Sequence, residues 1–264
     1  MTKDKYDFND LLEVMKRLRC ENGCPWDKKQ THESLRIYLI EETYEVLEAL
    51  DAGDTDKFCN ELGDLLLQIV FHAQIADENG KFDINDVTSE ICSKLISRHP
   101  HIFGDASADT ADQVVENWEA IKKKEKKLDS QTGVLKDVPN NLPALMRSYK
   151  VQQKAAQVGF DWDNTDDVFR KIDEEVEELR EVYKSQDIER ISDELGDAIF
   201  AIVNLSRFLK IQPELALTGT TEKFIRRFEY IEQQSMKAGR KLEDMSLAEM
   251  DELWNEAKVE LPRK

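Results

Sequence analysis

Long apolar runs are missing from this 264-residue sequence: no stretch approaches the roughly 18 residues that a membrane-spanning helix requires. Cysteine is scarce. Cys20, Cys24, Cys59 and Cys92 are too few and too scattered for a disulfide framework in a chain this long, and reduced thiols fit a cytosolic protein. Cys20, Cys24 and His32 include no CxxC pair, so no zinc site is assigned to them. Alternating β-branched runs bounded by turns are nearly absent, which leaves an all-α fold. A surplus of positive charge is absent too: 37 Lys and Arg against 55 Asp and Glu give a net charge of −18. That balance argues against nucleic acid or an anionic membrane as a partner and points to cations. The polar start MTKDKYDFND carries no signal-peptide apolar core, so the expected location is the cytoplasm.

What the sequence does contain is crowded carboxylate, in duplicate. EETYEVLEAL holds Glu41, Glu42 and Glu45, and ELGDLLLQIV holds Glu61 and Asp64. On a helix Glu41 and Glu45 stand one turn apart, and like charges at that spacing repel by roughly 0.2 to 0.5 kcal/mol a pair. One copy reads as a solvated acidic face. Each of the five positions, however, recurs 133 residues later, as Glu174, Glu175, Glu178, Glu194 and Asp197, without one insertion. The chain is therefore one unit used twice. Residues 1–127 and 143–264 are expected as the two domains, with 128–142 as a linker that Gly133, Pro139 and Pro143 keep from being helical.

Helical periodicity surrounds both copies. Leu62, Leu65, Leu66, Ile69, Val70 and Ala73 form one apolar stripe, and Leu195, Ala198, Ile199, Ile202 and Val203 repeat it, so each ExxD is expected to open a buried helix. Gly53 and Asp54 supply a stop and an N-cap between the two acidic helices of the first copy. Ser246 to Glu249 is a capping box, and the helix after it carries Trp254, on pattern alone a core or interface residue. Two facing acidic helices make an all-oxygen site, which suits Mg²⁺ or Mn²⁺. A di-iron bundle would need Glu-x-x-His, and none of the four histidines follows a Glu at that spacing.

Magnesium held this way completes its shell with water and substrate phosphates, so hydrolysis at phosphorus is the expected chemistry. Here the copies differ. Lys171 stands one turn before Glu175 where the first copy has Tyr38, and Arg190 precedes Glu194 where the first has Lys57. Lys223, Arg226 and Arg227 form a compact basic cluster, against the looser Lys94 and Arg98. These cations serve either a phosphate chain or the neighbouring acids as i,i+4 partners. The rival reading is a non-catalytic helical module that holds a structural cation or a basic partner protein, for which a basic cluster has no use.

The duplicated EExxE and ExxD, together with CPWD (Cys24 to Asp27), Ser97-Arg98-His99-Pro100 and VGFDW (Val158 to Trp162), resemble the MazG family of tandem-domain nucleoside triphosphate pyrophosphohydrolases over essentially the whole chain. EExxE and ExxD alone would indicate only the wider all-α pyrophosphatase group. The resemblance implies Mg²⁺-dependent hydrolysis of nucleoside triphosphates to monophosphate and pyrophosphate by a helical homodimer. It implies that Glu175, Glu178, Glu194 and Asp197 are metal ligands with Glu174 and Lys171 beside them. By the same likeness Arg190, Lys223 and Arg227 contact phosphate and Trp254 lies at the nucleotide, and the basic cluster adds Arg226 to the phosphate-binding candidates. In the first half, Glu42, Glu45, Glu61 and Asp64 keep the metal pattern. Arg190 stands where the family has lysine, which keeps the charge and changes its geometry. Most of the activity is expected from the second half.

Overall fold

The computed structural model of the chain describes residues 3–261, and among them it contains helices and no strand. They form two compact units, the first ending at Glu125 and the second beginning at Lys126.

In the first unit the helices are α1 (Phe8–Arg19), α2 (Pro25–Lys29), α3 (Arg36–Ala52), α4 (Thr55–Glu78), α5 (Ile84–Arg98), α6 (Pro100–Phe103) and α7 (Ala111–Glu125). The hairpin of α3 and α4 is its centre, and α1 and α5 pack on α4. Gly53 closes α3 in the left-handed region, at φ 67°, which a residue with a Cβ adopts only with strain. Asp54 then caps α4 by accepting from the amides of Asp56 and Lys57. Met15, Leu35, Val70, Phe71 and Ile75 make the core, with Tyr38 and Leu67 packed against it. Side chains buried this fully contribute about 1.5 to 3 kcal/mol each.

The second unit holds α8 (Gln131–Lys136), α9 (Ala144–Ala156), α10 (Thr165–Val182), α11 (Ile188–Phe208), α12 (Pro213–Lys237) and α13 (Leu247–Glu260). Here α10 and α11 form the hairpin, α9 packs on α11, and α12 with α13 forms a second pair that touches α9. Residues 128–142, read from the sequence as a linker, carry α8 and belong to this unit. Gly133 lies inside that helix, Ser130 caps it, and Val134 within it and Val138 just after it are buried. Gln131 Nε2 ties α8 to the carbonyl of Lys154 on α9 at 2.6 Å.

The apolar stripes on α4 and α11 are buried on one side only. Val70 and Ala73, like Ala198 and Val203, are buried, whereas Leu62, Leu66, Ile69, Leu195, Ile199 and Ile202 are exposed in the single chain. The expectation of wholly buried helices is corrected accordingly: each helix has two apolar faces, and its own unit covers one. No helix among the described residues is long and apolar enough to cross a membrane.

Candidate active site

Each hairpin brings its acids together. In the first unit, oxygens of Glu42, Glu45 and Glu61 lie within 4.8 Å of one another, and in the second those of Glu175, Glu194 and Asp197 do. Glu61 is 7% exposed and Glu175 6%, so both charges are held out of water without an equal number of cations. The acid outside the trio is Asp64 in the first unit and Glu178 in the second, and each shares the field of its trio. Burial, then the charges of Asp64, Glu45 and Glu61, push the Glu42 carboxyl above its usual range. Burial, then Glu175 and Glu194, do the same to Glu178. Burial and Glu45 raise Glu61. This is the pattern expected where carboxylates converge around a site for a positive ion. The donor set is all oxygen and therefore fits Mg²⁺ or Mn²⁺.

The cations differ between the units as the sequence indicates. Lys171 Nζ lies 2.7 Å from Glu174 and 2.6 Å from Glu175, and those two partners raise its pKa further. Arg190 stands 3.9 Å from Glu194 with most of its side chain in solvent. In the first unit, Tyr38 occupies the place of Lys171 and meets Trp26 edge to face, while Lys57 turns to Glu48 at 2.8 Å. Arg227 lies over the Trp254 ring at 5.3 Å, and Phe224 packs on the same ring. Among the described residues no ion pair links Lys223, Arg226 or Arg227 to the acids.

Beside the acids of the second unit opens a cavity of about 590 Å³. Lys171, Glu175 and Asp197 border it, and its walls come from α9, α11 and the loop Gly159 to Trp162, with Phe160, Trp162, Phe200 and Ala201 as apolar lining. A space of that size, largely apolar with a few polar groups at its edge, has the make-up of a small-molecule site. Asn204 and Arg207 also line it. The sequence reading gave neither a role. A signal was present nonetheless, since the polar Asn204 stands at the position where the first copy has Phe71.

A family model described as the MazG nucleotide pyrophosphohydrolase domain matches the chain twice, at residues 30–103 and 164–231, and each match spans one acidic hairpin. The chain belongs to the MazG family. It is 47% identical over 95% of its length to a Thermotoga maritima protein named nucleoside triphosphate pyrophosphohydrolase/pyrophosphatase MazG, 95% of which is covered. An Escherichia coli nucleoside triphosphate pyrophosphohydrolase is 45% identical over 94% of this chain and 95% of its own. The uncharacterized protein YabN of Bacillus subtilis is 50% identical over 96% of this chain, which corresponds to 52% of that protein. In this MazG chain both domain copies keep the acids, whereas only the second has Lys171 among them.

Proposed function

We propose that this chain hydrolyses nucleoside triphosphates to the monophosphate and pyrophosphate, mainly in its second unit, and so acts on the nucleotide pool of the cytoplasm. The observation that carries the reading is the cavity that joins the acids and Lys171 to an aromatic, apolar chamber. A phosphate chain and a nucleobase need those two environments side by side. The full-length relatives named for this reaction support it.

Glu175, Glu178, Glu194 and Asp197 would hold Mg²⁺, with Mn²⁺ as a substitute. When bound, the ion supplies neutralisation of the phosphate charge and Lewis-acid activation at phosphorus. The chain's own groups do the rest. Lys171, held by Glu174 and Glu175, presents Nζ at the cavity edge, where it can bind a phosphate oxygen without searching for its position. Arg190 adds a second positive charge on the next helix. Phe160 and Trp162 line the chamber and exclude water from the base. Lys223, Arg226 and Arg227, with Trp254 stacked on the last, offer a further phosphate and ring-binding face on α12 and α13. The uncovered apolar faces of α11 and α12, among them Ile199, Ile202, Phe224, Ile225 and Phe228, fit a homodimer in which a second copy covers them. The first unit keeps a cation site and lacks the lysine, which fits a dimerising or regulatory copy.

The test is to incubate the purified protein with Mg²⁺ and a panel of ribo- and deoxyribonucleoside triphosphates, and to measure pyrophosphate and monophosphate. Equal release of the two products from at least one nucleotide is the expected result. Release of neither from any of them would reject the reading in favour of a non-catalytic module.

A further inference from the structure

The register of the repeat shows what differs at the cavity wall. Because α4 and α11 repeat at 133 residues, Asn204 corresponds to Phe71 and Ala201 to Gln68. In the first unit this wall is filled. Phe71 is 3% exposed, the Arg19 guanidinium lies 5.3 Å above its ring, and that guanidinium also binds Glu78 at 2.7 Å and the carbonyl of Asp27. Gln68, larger than alanine by a carboxamide arm, is buried beside it. In the second unit the same wall carries a methyl group and a short amide, and the space opens into the cavity. Phe160, on the loop that faces it, is 82% exposed.

The Asn204 amide is oriented. Its Oδ1 accepts from Arg207 Nε at 3.1 Å and Nη2 at 2.9 Å, and Arg207 is itself paired with Asp161 on the rim. A guanidinium only donates, so turning the amide round would lose both bonds. The Nδ2 end therefore stays a donor, and it has no protein partner among the described residues. Asp197 and Asn204 are seven residues apart on α11, two turns along one face and about 10 Å by helical rise. Phosphates at the acids would place a base near the amide.

We propose that Asn204 determines how this chain recognises the nucleobase: its Nδ2 donates a hydrogen bond to a ring nitrogen or carbonyl oxygen of a base lodged in the cavity. The proposal rests on the pyrophosphohydrolase reading for the position of the phosphates. At the equivalent position the first unit has Phe71, which supplies neither the donor nor the room.

Asn204→Leu removes the bond at similar size, and Asn204→Asp replaces the donor with an acceptor that Arg207 still neutralises, so one variant stands in if the other fails to fold. In the full chain with Mg²⁺, binding of an α,β-methylene nucleoside triphosphate is measured by calorimetry, and inorganic tripolyphosphate, which has no base, is titrated as the comparison. Both variants are expected to bind the analogue about five- to tenfold more weakly, the size of one neutral hydrogen bond, with tripolyphosphate affinity unchanged. Unchanged analogue binding, or equal weakening of both ligands, overturns the assignment. Analogue binding that follows this pattern in a protein that releases no pyrophosphate would instead sink the hydrolase reading and leave the base contact standing.

Discussion

Glu45 and Glu178 are the residues on which the two units can be compared most directly. Glu45 occupies the position equivalent to Glu178; Glu45 is one of the three converging acids of its unit, whereas Glu178 stands beside its trio and within the field of Glu175 and Glu194. What differs lies around them: Lys171 against Tyr38, and an open chamber against one filled by Phe71 and Arg19. A charge-assisted contact to phosphate is worth about 1.5 to 3 kcal/mol, so the loss of Lys171 alone costs a triphosphate at least tenfold in affinity. Glu178→Ala is therefore expected to lower nucleotide hydrolysis by more than the roughly 10- to 100-fold typical of residues behind metal ligands, and Glu45→Ala by far less. Steady-state pyrophosphate release by the two variants, with circular dichroism to confirm folding, decides it. Equal losses, or a larger loss in Glu45→Ala, would defeat the assignment of the activity to the second unit.

At the scale of elements, the two hairpins reach the same arrangement with different ends. Gly53 at φ 67° turns α3 into α4, whereas Gln186 takes that place in the second copy and Asp187 caps α11 by accepting from the Arg190 amide. Packing between the helices thus fixes the hairpin, and the glycine only eases one of its turns. The capping box that starts α13 has a further anchor. Glu249 accepts from Arg240 at 2.6 Å and from the amide and hydroxyl of Ser246 at 2.7 and 2.9 Å, and Arg240, then Ser246, hold its carboxyl down to about 2 against the usual 4.5. A pKa depressed by folding contributes stability that is complete above the unfolded value and is lost as pH falls through the folded one. The contribution of the α13 start should hold above about pH 5 and drain away from about 4.5 toward 2. Thermal midpoints over that range should fall more steeply with acid for the native chain than for Glu249→Gln. Parallel curves would show that the contact carries no linkage.

For the whole molecule, the exposed apolar faces have the clearest consequence. A charged, acidic surface of net −18 keeps copies apart except where such faces meet, so association should run through α11 and α12. Sedimentation is expected to give twice the 30.6 kDa of one chain. Ile202→Glu or Ile225→Glu should shift it to the monomer, because a carboxylate would then be buried without a partner. A native chain that sediments as a monomer, or a dimer indifferent to both substitutions, would remove these faces as the interface.

The sequence by itself determined the all-α class, the duplication, the acidic hairpins and the capping box at Ser246, because helical period, register and caps are local or repeat at a fixed offset and can be counted along a chain. The difference at Lys171 and Tyr38 was legible for the same reason. Tertiary structure alone decided which three acids of each four converge, since that depends on the rotation of one helix against another. It alone showed that residues 128–142 are part of a folded unit, where two valines find a surface to cover. The cavity was hidden as well: its walls come from α9 with the loop that follows it and from α11, which lies about 30 residues further along the chain. Whether Arg19 lies over Phe71, or Arg207 holds Asn204, is settled only when those segments pack.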